Sequence, residues 1–64
     1  MSETEKKMLD YLQYLLDLAK AAKERKDEVG FRFAIGGYAH CAEMFRQVTG
    51  KGVAHDGGFE VFLL

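Results

Sequence analysis

The sequence predicts a mainly α-helical protein, an antiparallel hairpin of two helices followed by a short C-terminal β-hairpin or extended tail. Apolar residues recur at three- and four-residue steps through two long segments, and the chain contains no proline. The connection between these segments is short, which requires neighbouring helices to run antiparallel. We therefore expect one small domain over 1–64, with helices at about 3–26 and 28–49 and a β-prone tail at 52–64.

The first helix is predicted to begin near Glu3. Ser2 and Glu5 have the spacing of a capping box, in which a hydroxyl and a carboxylate satisfy backbone donors at a helix start. Basic residues follow towards Lys26, at the negative end of the helix dipole. The apolar stripe of this helix comprises Met8, Tyr11, Leu12, Leu15, Leu18, Ala19 and Ala22.

The second helix is predicted to begin after Asp27, a favourable N-cap residue, and to end at Gly50. An alternative stays open for residues 29–35, because apolar residues alternate there as in a strand and Gly36-Gly37 follows as a turn signal. The helical interpretation rests on an apolar face at helical spacing that comprises Phe31, Ala34, Ile35, Tyr38, Cys41, Ala42, Phe45 and Val48.

The tail carries a turn signal at Asp56-Gly57-Gly58, which predicts a hairpin of residues 53–55 against residues 59–63. An isolated two-stranded hairpin is marginal in water, so it must lie on the helices or pair with another chain. The sequence leaves both possibilities open. Phe59, Val61 and Phe62 are therefore candidate interface residues.

A second apolar stripe lies about 120° around the second helix and comprises Phe33, Gly37, His40 and Met44. One partner helix cannot cover both stripes, and a 64-residue chain without a disulfide is only marginally stable alone. We expect this stripe to pack against a second copy and form a four-helix bundle. The alternatives are that the tail folds back over Phe33 and Met44, or that the stripe is free to bind a different protein.

The charge balance, nine basic against ten acidic residues, argues against a dedicated nucleic-acid or membrane-surface binder. A single cysteine favours the cytoplasm, because small proteins of oxidising compartments usually carry several. No apolar run approaches the roughly 20 residues of a membrane span, and the acidic N-terminus is unlike a signal peptide.

Few residues indicate chemistry. His40, Cys41 and His55 are the candidates for a small enzyme or metal site, but adjacent helical residues point about 100° apart and no metal-ligand spacing occurs. We therefore expect no catalytic residue, no metal and no cofactor. The cluster from Lys20 to Lys26 is the candidate for weak nucleic-acid binding, although Glu24 lies within it and weakens the local field.

The sequence thus favours a small, non-enzymatic, homodimeric module for protein–protein interaction. A charged helix, an apolar helix and a β-prone tail together resemble small bacterial and bacteriophage accessory proteins, some of which bind and block a host protein. The resemblance is one of composition and implies no site. The alternatives are a weak nucleic-acid-binding protein and a small enzyme or metal site.

Overall fold

A computed structural model describes residues 2–64 and contains two helices and a two-stranded antiparallel sheet. Helix α1 spans Glu3–Glu24, helix α2 spans Glu28–Thr49, strand β1 spans Val53–His55 and strand β2 spans Val61–Leu63. A helix of 22 residues is about 33 Å long. The longest dimension of the molecule is 35 Å, so the helices lie side by side, and the predicted helical hairpin is confirmed.

Helix α1 begins as predicted, because Ser2 Oγ accepts a hydrogen bond from the amide of Glu5 at 3.1 Å. It ends at Glu24, two residues earlier than the periodicity predicts. Lys26 adopts a left-handed conformation, with φ at 61°. The amides of Lys26 and Asp27 then donate to the carbonyls of Lys23 and Ala22, which closes the helix in a Schellman motif.

Helix α2 runs without interruption through residues 29–35 and through the glycine pair, so the strand alternative for this segment is wrong. The Asp27 carboxylate caps its start by accepting from the amide of Gly30 at 2.9 Å. Gly50 ends it with φ at 74°, the left-handed conformation that glycine adopts without steric cost. Both predicted caps are confirmed.

The tail forms the predicted hairpin within this chain, with Ala54 paired to Phe62 at its centre. Asp56 organises the turn, since its carboxylate accepts from the amides of Gly58 and Glu60. These hydrogen bonds, the one from Glu60 above all, lower the pKa of Asp56 below its usual value. Phe59 closes the turn with φ at 63°, an unusual conformation for a bulky residue.

The hairpin packs on one side of the helix pair. Gln13 of α1 holds it there: its side-chain nitrogen donates to the Phe59 carbonyl and its oxygen accepts from the Val61 amide, each at 2.9 Å. At the start of α1, Glu5 pairs with Lys51 at 3.0 Å. The hairpin does not cover Phe33 or Met44, which stay exposed. The alternative in which the tail folds back over these residues is therefore wrong.

The core lies between the helices and the hairpin. It is built on Leu12, Leu15, Leu16, Tyr38 and Phe45, with the hairpin residues Val53, Phe59, Val61 and Leu63 packed against it. Three residues that the periodicity places on the inner, buried stripes are not buried in the structure. Tyr11, Leu18 and Val48 are exposed. Phe31, expected in the core, is half-buried and meets the Phe59 ring edge-on.

Candidate functional site

The side of the helix pair opposite the hairpin is apolar and uncovered, and we call it the open face. Val29 and Phe33 are the most exposed of its residues, at 80% and 84%. On α2, the positions Val29, Phe33, Gly37, His40, Met44 and Val48 follow one another at three- and four-residue steps and so share one side of the helix. The open face comprises these six residues of α2 together with Met8, Tyr11, Tyr14 and Leu18 of α1.

A groove runs along the open face between the two helices. Its larger part has a volume of about 690 Å³ and is lined by Tyr14, Leu18, Phe33 and Gly37 among others. A second part of about 360 Å³ continues towards the start of α1, beside Met8 and Met44. Tyr11 and Cys41 line both parts, so the groove is continuous along the face.

The open face is nearly free of charge. None of its α2 positions carries a charged side chain at neutral pH when His40 is neutral. Charged residues line the groove only towards its ends, at Lys7 and at the Arg25–Asp27 pair, whose side chains are 3.5 Å apart. A continuous apolar face with charges at its margins is typical of an interaction surface.

The exposed apolar area is large for a chain of this size. Tyr11, Tyr14, Leu18, Val29, Phe33, Met44 and Val48 are between 42% and 84% exposed. At about 200 Å² for each fully exposed large side chain, they present roughly 800 Å² of surface. The largest apolar patch of a typical monomer is about 300–600 Å². One partner in a standard protein–protein interface buries about 800 Å².

Close packing among residues 2–64 does not require the glycine pair of α2. A methyl group added at Gly37 would meet only Leu15 side-chain atoms, at 3.8 Å, and one added at Gly36 would meet nothing within 4 Å. Each glycine nevertheless costs a helix interior about 1 kcal/mol relative to alanine. Since the fold itself leaves room for side chains, close approach by something outside the chain is a physical reason for glycine at position 37.

The hairpin side of the helix pair is closed by an aromatic cluster. The His55 ring stacks on Phe59 with centroids 5.8 Å apart and meets the Tyr38 ring edge-on at 5.3 Å. Lys23 Nζ lies 5.6 Å from the centre of the Phe59 ring. The Tyr38 hydroxyl is buried without a hydrogen-bond partner, and this burial raises the pKa of Tyr38.

The candidate interface residues therefore fall into two groups. Phe33, Gly37, His40 and Met44 lie together on the open face. Phe59 and Val61 pack against the core of their own chain, and Phe62 is half-exposed on the hairpin. The structure thus brings the second stripe of α2 together as one surface and separates it from the tail residues.

The candidate catalytic or metal-binding residues are not brought together. His40 lines the open groove, whereas His55 ends strand β1 of the hairpin, where its ring lies against Tyr38 and Phe59. Cys41 is half-buried in the groove floor. Within residues 2–64, no three His, Cys, Asp or Glu side chains are placed to hold a metal ion.

The basic cluster at the end of α1 is partly engaged within the chain. Lys23 lies against the Phe59 ring, and Arg25 pairs with Asp27. Lys20 and Lys26 are exposed, with Glu24 exposed close by in sequence. The basic side chains of this cluster therefore lie among acidic and aromatic side chains.

Sequence reasoning missed the α1 half of the open face and the role of Gln13. Tyr11 and Leu18 were assigned to the inner stripe of α1, and Tyr14 to no surface at all. The angular position of these residues, between about 100° and 160° from Leu12 on a helical wheel, is the available signal. Gln13 gave no signal, because its importance depends on where the hairpin lies.

Comparison with protein-family models, curated proteins and solved structures finds no match to this chain. Neither α1 nor α2 is long and apolar enough to cross a membrane, in the part of the chain that the structure describes. The open face is therefore interpreted on its own geometry.

Proposed function

We propose that this protein is a small, non-enzymatic, homodimeric module that acts through protein–protein contact. The open face of each copy packs against that of the other to form a four-helix bundle. The observation that carries this proposal is the apolar groove lined by Phe33, Gly37 and Met44, which the chain's own hairpin leaves uncovered. An aromatic and methionine-rich surface of this size is rarely left in water by a soluble protein.

A second copy fits this surface in area and in charge. The roughly 800 Å² of exposed apolar surface equals one partner's share of a standard interface. Both surfaces would be nearly uncharged at their centres, so pairing them buries no unpaired ion. The chain is also small enough that self-association adds substantially to a marginal core.

The dimer would act as an accessory or inhibitor protein that binds another macromolecule through its outer surface. A cytoplasmic location is part of the proposal, because the single cysteine suits a reducing compartment. Catalysis forms no part of the proposal, because the structure does not bring His40 and Cys41 together with His55.

The test is the effect of charge on the open face. Phe33→Asp combined with Met44→Asp places two like charges where the interface would be buried, and both positions are exposed in the single chain. We expect light scattering after size exclusion to show a dimer for the wild type and a monomer for this variant. Far-UV circular dichroism should be unchanged, because neither side chain supports the fold.

The matched control makes the same change in net charge at positions outside the groove, as Ala39→Asp with Lys20→Gln. Both positions are exposed and lie away from the groove. This control should stay dimeric. An unchanged mass for the Phe33→Asp, Met44→Asp variant, or equal loss of the dimer in the control, would contradict the assignment of the interface.

A further inference from the structure

The exposed stripe of α2 has the same spacing in both directions. From Val29 to Val48 its positions are separated by four, four, three, four and four residues. Read from the other end, the steps are identical. A helix that packs against an antiparallel copy of itself needs this property, because a two-fold axis brings each position opposite its mirror position in the sequence.

The side chains at mirrored positions also complement one another in size. We infer that two copies pair α2 against α2 in one antiparallel register, with Val29 of one copy opposite Val48 of the other. Phe33 then lies opposite Met44, and Gly37 opposite His40. The smallest residue of the stripe thus receives a large ring, and the most exposed aromatic meets a flexible thioether, a favourable contact.

The register accounts for the glycine that the fold does not need. Gly37 and His40 flank the two-fold axis in this arrangement, where the two backbones come closest. The stripe combines four-residue with three-residue steps, and the helices of a four-helix bundle cross at about 20°. At such a crossing the central residues make the closest contacts, and a side chain at position 37 would hold the helices apart.

Charges beside the stripe are compatible with the same register. On the flank of the stripe away from the groove, Arg32 of one copy comes next to Glu43 and Gln47 of the other. All three side chains are exposed in the single chain. An antiparallel pair brings residues of the same flank together, so Arg32 would add a second cation beside Glu43, whose carboxylate already accepts from Arg46 of its own helix.

The register rests on the proposed homodimer and is tested by charge complementation. Phe33→Lys alone and Met44→Glu alone should each weaken self-association roughly tenfold or more, because each buries an unpaired charge. Mixed together, they should form a heterodimer in which Lys at position 33 meets Glu at position 44, while the wild-type Met44–Phe33 contact remains. Native mass spectrometry distinguishes this heterodimer from either homodimer by mass.

The control mixture is Phe33→Lys with Phe33→Glu, which carries the same charges in a pairing that the register does not bring together. Recovery of dimers in the first mixture and not in the control supports the register. Recovery in the control, equal recovery in both, recovery in neither, or single variants that associate normally would overturn it. A dimeric wild type would leave the proposed function standing in those cases, whereas a monomeric wild type would overturn both.

Discussion

The two sides of the helix pair differ in whether their apolar residues are buried. On the hairpin side, Phe45 is fully buried, and Gln13 donates one hydrogen bond to the hairpin backbone and accepts another from it. On the open face, Phe33 is 84% exposed and contributes to a groove that no other segment of residues 2–64 fills. Both phenylalanines belong to the same helix. Helix α2 thus has one face that is buried in the core and one face that residues 2–64 leave uncovered.

The largest expected effect contrasts the two phenylalanines of α2. Phe45→Ala should lower the free energy of unfolding by about 3–5 kcal/mol, because it leaves a cavity in the core. That is a large part of the roughly 3–10 kcal/mol expected for a domain of this length. Phe33→Ala should change the stability of the monomer by less than about 0.5 kcal/mol.

Urea denaturation, at a protein concentration low enough to keep the chain monomeric, measures both changes in the free energy of unfolding. Size exclusion at high concentration measures association. Phe33→Ala should weaken association while leaving the monomer stable. Equal destabilisation of the monomer by the two substitutions would mean that the two faces do not differ in this way.

The next effect concerns the hydrogen bonds that fix the hairpin. Gln13→Ala removes two partners of part-buried backbone groups, the carbonyl of Phe59 and the amide of Val61. We expect a loss of about 1–3 kcal/mol and faster amide hydrogen exchange in residues 53–63. Gln47→Ala is the matched control, since Gln47 is exposed and bonds only to Glu43 on its own helix. Hairpin exchange unaffected by Gln13→Ala would show that packing alone holds the hairpin.

How far the sequence predicts this molecule depends on the range of the interactions. Ser2, Asp27 and Gly50 act within a few residues of their own position, and all three caps are confirmed. Asp56-Gly57-Gly58 correctly predicts the hairpin for the same reason.

Local sequence signals do not predict how segments far apart in the sequence pack together. The side on which the hairpin packs depends on Gln13, which is 46 residues from Phe59, and on the left-handed conformation of Phe59 itself. Val48 continues the inner periodicity of α2, yet it is 64% exposed. The four residues of the second stripe were identified because helix geometry alone places them on one side of α2.

The smallest expected effect separates the contribution of Gly37 to helix stability from its contribution to association. Gly37→Ala should stabilise the monomer by up to about 1 kcal/mol, because alanine is the better helix former and its methyl group has room beside Leu15. Measured in the Phe33→Lys background, the gain is free of any effect of dimerisation. In the otherwise wild-type chain, the same substitution should weaken association. A gain in monomer stability with unchanged association would remove Gly37 from the contact.

The central claim is that a second copy covers the open face, and the mass of the wild-type chain in solution tests it most directly. Sedimentation velocity over a range of concentrations should give twice the 7.2 kDa of the single chain, falling towards 7.2 kDa on dilution. A mass of 7.2 kDa at every concentration, with the chain fully folded, would contradict the claim.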